Sequence, residues 1–589
     1  MHTHAGNGGT DVRPAVALKA SIIALALLGG CTGDGPPAPP QPSPPPDGKV
    51  QYLSQGWDAN LRGLAYHTPQ GSMLMPYAWF LALERADGGG PFASEASLTR
   101  YGFLASEETR PQLNPDGLPI GFAREPASAA DATLWVGVTC SACHTNDITY
   151  RQTRLRIDGA PAAIDFDTFY EDLARASQTT RPEVSPERFA RFADKVLGAG
   201  ATEEQKLALK AQFAAYDARL QGDAAIRHPT IHSGYGRVDA LTEIINAIAV
   251  TDLGKPENLR PVSAPVSYPQ LWLSSKLDWV QWFPIASNPL ARNVGEVLGV
   301  FGRASLTGAQ DQLFTSTARI KDLVAMEHWI DDLRPPSWPE AIFGAIDAAL
   351  AQKGKQLFDR DCRGCHNMPP FDLTDAADNI VGKRFIKIGR ADFRAIGTDP
   401  TYMQSLIGRT VFTGSLAPVL FQNRPLVSGP EYFRETVGAV VRKALSQLQL
   451  SREELLAYND FRFHPPTAPN QPPEAYEPQP GTYMKAGPLM AMWATGPFLH
   501  NGSVPNIYEL LSPPAERSKV FWVGSHEIDV VKLGFESVER PGLFRYDTAI
   551  LGNSNQGHAK PATPYSHDER MAVIEYLKAP ERFAEVAGR

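Results

Sequence analysis

"DRDCRGCHNMPP", Asp359–Pro370, puts Cys362, Cys365 and His366 into five residues, and "VTCSACHTND", Val138–Asp147, repeats the spacing with Cys140, Cys143 and His144. A polypeptide holds a porphyrin covalently when two thiols three positions apart add to its two vinyl groups and the next residue, histidine, binds the iron. The spacing follows the vinyl separation, and the same turn of chain delivers the imidazole. Other uses of the pattern fit less well. Zinc needs two more Cys or His ligands for each pair, and none is placed to supply them. A thioredoxin-type redox pair belongs in a βαβ setting that is missing around both motifs. The pattern therefore predicts two covalently bound haem c groups, with His144 and His366 as the proximal iron ligands.

The chain has 589 residues, 43% of them hydrophobic and 20% charged, enough to bury large cores in more than one domain. A net charge of -8 with scattered basic residues gives no electrostatic reason to expect nucleic acid. Five cysteines are too few for a disulfide scaffold of this size. The one outside the two motifs, Cys31, closes "ALALLGGC" after an apolar run from about Ala20 to Leu28 that follows Arg13 and Lys19. That is the build of an export signal, too short to be a stable span. Leu28-Gly29-Gly30-Cys31 also resembles the lipobox of bacterial lipoproteins, in which the cysteine is lipidated; an ordinary signal peptide with a coincidental cysteine is the alternative. Both readings place the protein outside the cytoplasm, in the periplasm or on the outer membrane of a Gram-negative cell. Eight of the fourteen residues in "GPPAPPQPSPPPDG" are proline, which favours an extended, fairly stiff spacer between a lipid anchor and a folded body.

From about Tyr52 the signals are mainly helical, with few and short strand patterns and much irregular backbone. Ser185 before Pro186, Thr202 before two glutamates, Ser451, and the closing "HDERMAVIEYLKAP" each read as part of a capped amphipathic helix. "SWPEAIFGAIDAALAQKGKQLFDRDCRGCH" reads as a linker and a helix leading into the second motif. The expected organisation is a signal peptide over 1–31, a proline-rich linker over 32–50, and two mainly α, cytochrome c-like haem domains over 51–335 and 336–589.

Two further stretches, "WATGPFLHNGSVPNIYELL" at Trp493–Leu511 and "LGNSNQGHAK" at Leu551–Lys560, follow the second motif. With these residues the chain resembles the diheme superfamily of bacterial cytochrome c peroxidases and the methylamine-utilisation diheme enzyme, most closely its rubber oxygenase branch, which cleaves polyisoprene with O₂. The resemblance is carried by both CxxCH motifs, "GYGRVDAL" at Gly234–Leu241, "NPLARNVGEVLGVFG" at Asn288–Gly302, "IGTDP" at Ile396–Pro400, "GPFLHNGSVP" at Gly496–Pro505 and "GNSNQGH" at Gly552–His558. It implies that the C-terminal haem takes a second histidine, matched in position by His558, with His500 as the fallback. It also implies that the N-terminal haem is the dioxygen site, with an apolar distal pocket. His67, His228, His232 and His328 are the other histidines within reach of that site, and Trp272, Trp279, Trp282 and Phe283 are aromatic candidates for its walls. Arg237 and Arg292 are candidates to pair with haem propionates, since guanidinium matches carboxylate geometry. Trp493 is a candidate relay between the haems.

Three functions fit these expectations. One is an oxygenase whose N-terminal haem activates O₂ against an apolar, unsaturated, isoprenoid-like substrate while the bis-histidine haem exchanges electrons. The second is a peroxidase, which wants a distal acid or base to split the O–O bond. The third is a plain electron carrier working with a small redox partner. A lipid anchor at Cys31 argues for a substrate smaller than an extracellular polymer.

Overall fold

The computed structural model describes residues 49–126, 133–378, 382–459, 483–559 and 563–584, which all belong to one compact unit, Gln41–Arg589. The expected signal peptide with Cys31, the proline-rich stretch to residue 48 and the irregular His464–Gly481 segment lie outside the described residues. Helices dominate, and the strands are short and paired in sheets of two or three.

The helix starts read from the sequence are present. Ser185 accepts a hydrogen bond from the Arg188 amide to open helix Pro186–Leu197. Thr202 and Gln205 form a reciprocal capping box on helix Glu203–Arg227, as Ser566 and Glu569 do on the final helix, His567–Lys578. Each such cap satisfies an amide that a helix start would otherwise leave unpaired.

The first motif sits between two small sheets. Strands β1 (Val50–Tyr52), β2 (Met75–Pro76), β3 (Phe122–Pro126), β4 (Leu134–Val138), β5 (Thr145–Tyr150) and β6 (Thr153–Asp158) assemble in the orders β2-β4-β3 and β1-β6-β5. The single helical turn Cys140–Cys143 bridges β4 to β5 and so crosses from one sheet to the other. Its carbonyls are held: the Ala162 amide donates to Cys143 and the Gly159 amide to His144, each at 2.9 Å.

The second motif has a different setting. Helix Ala348–Asp361 runs into Cys362 and packs against the final helix, where a Cβ at Gly354 would lie 1.9 Å from the Ala572 carbonyl oxygen, so only glycine permits the approach. One core joins Trp57, Ile148 and Ile157 to Phe358, Trp493 and Val573, and another joins Ile248 and Leu298 to Leu406 and Tyr432. Residues on both sides of Pro335–Pro339 thus share cores, and the boundary expected there coincides with no break in packing.

Trp493 is fully buried with its ring edge-to-face on Trp338 and Phe343, at centroid distances of 5.9 and 5.4 Å. This is aromatic core packing of the kind that adds to area burial. Trp493→Ala is expected to cost ~3–5 kcal/mol in denaturant unfolding, the range for deleting a large buried ring.

Candidate functional site

Both motif histidines are oriented by a backbone carbonyl. His144 Nδ1 lies 2.7 Å from the Pro269 oxygen and His366 Nδ1 2.9 Å from that of Gly487. A carbonyl only accepts, so each Nδ1 carries the proton and each Nε2 keeps a free lone pair, the arrangement of a metal-ligating imidazole. Burial pushes His144 down to about 4 and also lowers His366, which keeps both rings neutral. Burial pushes the Cys140, Cys143 and Cys362 thiols up to about 12, so they are poor candidates for a reactive thiolate pair. Among the described residues no group of three or more His, Cys, Asp or Glu is arranged to hold a metal ion, and the zinc alternative finds no ligand set there.

Cys362, Cys365 and His366 line one wall of a largely apolar cavity of about 380 Å³. On another wall His558 faces His366, with ring centroids 6.3 Å apart. His558 Nδ1 is buried without a hydrogen-bond partner among the described residues, and burial with the nearby His366 and Arg517 pushes the ring down to about 4. The residue has a φ of 50°, a left-handed conformation that a non-glycine side chain rarely adopts and that clusters at functional positions. His500 lines the same cavity, yet its Nδ1 lies 3.4 Å from Thr398 Oγ1, and it is His558 whose ring stands across from His366.

No histidine among the described residues stands opposite His144 in this way; the aromatic neighbour of that ring is Tyr268, edge-on at 6.3 Å. His67 has both ring nitrogens engaged, by the Phe122 carbonyl and Ser106 Oγ. His228 pairs with Glu171, His232 contacts Thr168 and the Gly234 amide, and His328 is exposed. What helix Pro289–Gly299 brings toward the first motif is charge. The fields of Arg292 and Glu296 reach the Cys140 thiol, Glu296 accepts a 2.9 Å hydrogen bond from Gln281 Nε2, and Arg292 pairs with Glu327. Burial holds Glu296 above the usual carboxylate range, against the pull of Arg292.

The sequence is 36% identical over 592 residues to the uncharacterized protein y4iJ of Sinorhizobium fredii (strain NBRC 101917 / NGR234), an alignment covering 91% of this chain and 94% of that protein. The chain belongs to the y4iJ family. A second protein of the same organism, the uncharacterized y4iM, is 25% identical over 366 residues, 57% of this chain and 69% of its own length. Residues 482–522 match the RoxA-like, cytochrome c-like family. A domain of that kind implies haem c, and in this y4iJ-family chain it supplies lining residues between Met484 and Leu511 to the cavity that Cys362, Cys365 and His366 also line.

Arg237 is fully buried and has no acidic partner among the described residues. Its Nε donates to the Ser233 carbonyl at 2.7 Å, and Nη1 reaches Asn553 Oδ1, Tyr546 Oη and the Asn501 carbonyl, while Nη2 has no hydrogen-bond partner among the described residues. A buried guanidinium with a free donor suits a carboxylate. Lys485, pushed down to about 8 by burial and by Arg292, also faces the cavity without an ion pair among the described residues. Trp272 and Trp282 line the cavity as well, whereas Trp279 and Phe283 belong to separate hydrophobic clusters. Lys485, Gln281, Glu296 and Arg517 escaped the sequence reading, because none belongs to a spacing pattern and each acquires its meaning only through distant contacts.

Proposed function

We propose that the protein is an exported oxidoreductase carrying two haem c groups, in which the C-terminal group is a six-coordinate electron-transfer centre and the N-terminal group has an open face for chemistry. The carrying observation is the 6.3 Å between the His366 and His558 ring centroids. Two imidazoles bound to opposite faces of one iron, by metal–nitrogen bonds of ~2.0 Å with ring radii of ~1.1 Å behind them, have centroids roughly 6.3 Å apart. Cys362 and Cys365 would hold the porphyrin of this centre and His366 and His558 its iron. Cys140, Cys143 and His144 would do the same at the first centre. Arg237, with its unpartnered Nη2, suits a propionate; Arg292 is already matched by Glu327, and Lys485 is the better candidate for a second carboxylate. When bound, such groups supply one-electron transfer and, where a face is open, activation of O₂ or peroxide.

The resemblance to rubber oxygenases supports an apolar, unsaturated, isoprenoid-like substrate oxidised with O₂. Peroxide reduction is a second reading, favoured by Gln281 and Glu296. With Gln281 donating to Oε1, the carboxyl can hold a proton on Oε2 and deliver it beside the first motif. Export, with a lipid anchor at Cys31, would set either activity outside the cytoplasm, where a small redox protein exchanges electrons with the C-terminal centre.

Two assays separate the readings. The holoprotein is incubated with an oligo-isoprene and O₂, and with hydrogen peroxide plus a reduced dye. The oxygenase reading expects cleaved carbonyl products that persist in Glu296→Gln. The peroxidase reading expects dye oxidation that falls ~10²-fold or more in Glu296→Gln, the size of a general acid–base contribution. Neither product in either assay would leave the plain electron carrier.

A further inference from the structure

The loop that presents His558 has no regular secondary structure, and His558 itself holds a left-handed backbone conformation. Such a conformation persists only where the surroundings over-determine it. What surrounds it here is Arg517, which is buried and forms no ion pair among the described residues. Its guanidinium is spent on main chain. Nη1 donates to the carbonyls of Asn555 at 2.5 Å and Gly557 at 2.9 Å, and Nη2 reaches that of His558 at 3.4 Å. From the same fork, Nε donates to the Glu509 carbonyl and Nη2 to that of Leu510, both at 3.2 Å. Glu509 and Leu510 end the short helix Ile507–Leu510, and the Glu509 carbonyl also accepts from the Ser512 amide at 3.0 Å. One planar side chain therefore ties a helix end to the loop carrying the histidine.

The other ties are weaker or local. Asn555 Nδ2 donates to the Ser518 carbonyl at 2.9 Å, and the His558 amide donates to the Ile396 carbonyl at 2.8 Å. Gly557, at a φ of 80°, is pressed against Gly397 and Thr398, where a Cβ would come within 2.4 Å of backbone atoms. These fix the loop's position at single points. Among the described residues Arg517 is the side chain that joins three of its carbonyls, those of residues 555, 557 and 558, to a separate element.

We propose that Arg517 is a positioning residue that clamps the 555–558 loop so that the His558 imidazole is held across from His366 and does not exchange with other ligands. The proposal rests on the reading of His558 as the second ligand of the C-terminal haem. Lysine at this position would keep the charge but lose the planar fork that serves several carbonyls together.

The test uses the full-length holoprotein made in a host that matures c-type cytochromes, as wild type, Arg517→Ala, Arg517→Lys, Asn555→Ala and His558→Ala. Carbon monoxide is mixed with each reduced protein, and the slow phase, which reports opening of the six-coordinate centre, is timed; ferric EPR records the spin state. Arg517→Ala and Arg517→Lys are expected to accelerate that phase at least tenfold, with Asn555→Ala changing it less than threefold. A merely structural role would lower the unfolding temperature of both arginine variants and leave the rate at wild-type value. That result, with His558→Ala becoming high-spin, would overturn the clamp while sparing the ligand assignment. A low-spin His558→Ala protein would overturn the assignment and the clamp together. Should Arg517→Ala not accumulate, Arg517→Lys decides by the same rate.

Discussion

His558→Ala is expected to turn one low-spin ferric signal of the holoprotein into a high-spin one and leave the other centre unchanged. The side chain removed is the ring whose centroid lies 6.3 Å from that of His366. In the variant no described protein group takes that place, because His500 Nδ1 is already within reach of Thr398 and the His500 carbonyl accepts the Ser267 amide at 2.8 Å. Added imidazole should restore the low-spin signal, since the wall of the cavity left by the truncation is the size of the missing ring. The reduced variant should bind carbon monoxide in a single fast process at both centres. His500→Ala is the matched comparison, and its spectrum should stay low-spin.

Asp147→Ala is expected to be the most damaging single change near the first motif. Asp147 lies on β5, three positions after His144, and its carboxylate accepts from Arg156 Nε at 2.8 Å and Nη2 at 3.1 Å, and from Arg154 Nε at 2.6 Å. Asp147 and Arg156 are each 1% exposed. Removing the carboxylate leaves the Arg156 guanidinium buried without its counter-charge, a loss of ~3–5 kcal/mol for broken buried pairs. The carbonyl of Asp147 also accepts from His526 Nδ1 at 2.8 Å, so the C-terminal part of the chain is tied to the same strand. Urea unfolding of the holoprotein should show the drop, and a change below ~1 kcal/mol would mean that water replaces the carboxylate, as it does at exposed pairs. Burial works to raise the Asp147 pKa, but the two guanidiniums outweigh it and hold the group below its ordinary value. Its contribution is therefore complete above the ordinary carboxylate pKa and is lost as the pH falls through the lowered one. At neutral pH the wild type has the pair in full.

The parts of this molecule that could be read from the sequence are those whose signal is local. Ser185 and Thr202 sit one residue before an amphipathic period, and a cap needs nothing further away than three positions. The CxxCH spacing is equally local, and the helix leading into Cys362 could be read for the same reason. The sheets could not. Strands such as Val50–Tyr52 and Met75–Pro76 are too short to show an alternating pattern, and Val50 pairs with Arg154, a partner set by the tertiary fold. For that reason the place of the first motif between β4 and β5 could not be read from the sequence.

The candidate site divides along the same line. His558 could be found because it ends a recognisable stretch, "GNSNQGH". Arg517 belongs to no such stretch, and its role appears only when the carbonyls of residues 509 and 557 are brought to one place. Gln281 and Glu296 are fifteen positions apart and on different elements, so their hydrogen bond is likewise a product of the fold. Arg292 is a candidate for a haem propionate in the sequence, and in the fold it pairs with Glu327, from helix Ile320–Asp332.

The central claim is that two porphyrins are attached through thioethers at Cys140/Cys143 and Cys362/Cys365. Mass spectrometry of the intact protein, produced in a host that matures c-type cytochromes and followed by peptide mapping, tests it most directly. The expected mass is that of the polypeptide plus two haem groups, with one carried by the peptide spanning 140–144 and one by the peptide spanning 362–366. A mass matching the bare polypeptide, or both motif peptides recovered with free thiols, would contradict it.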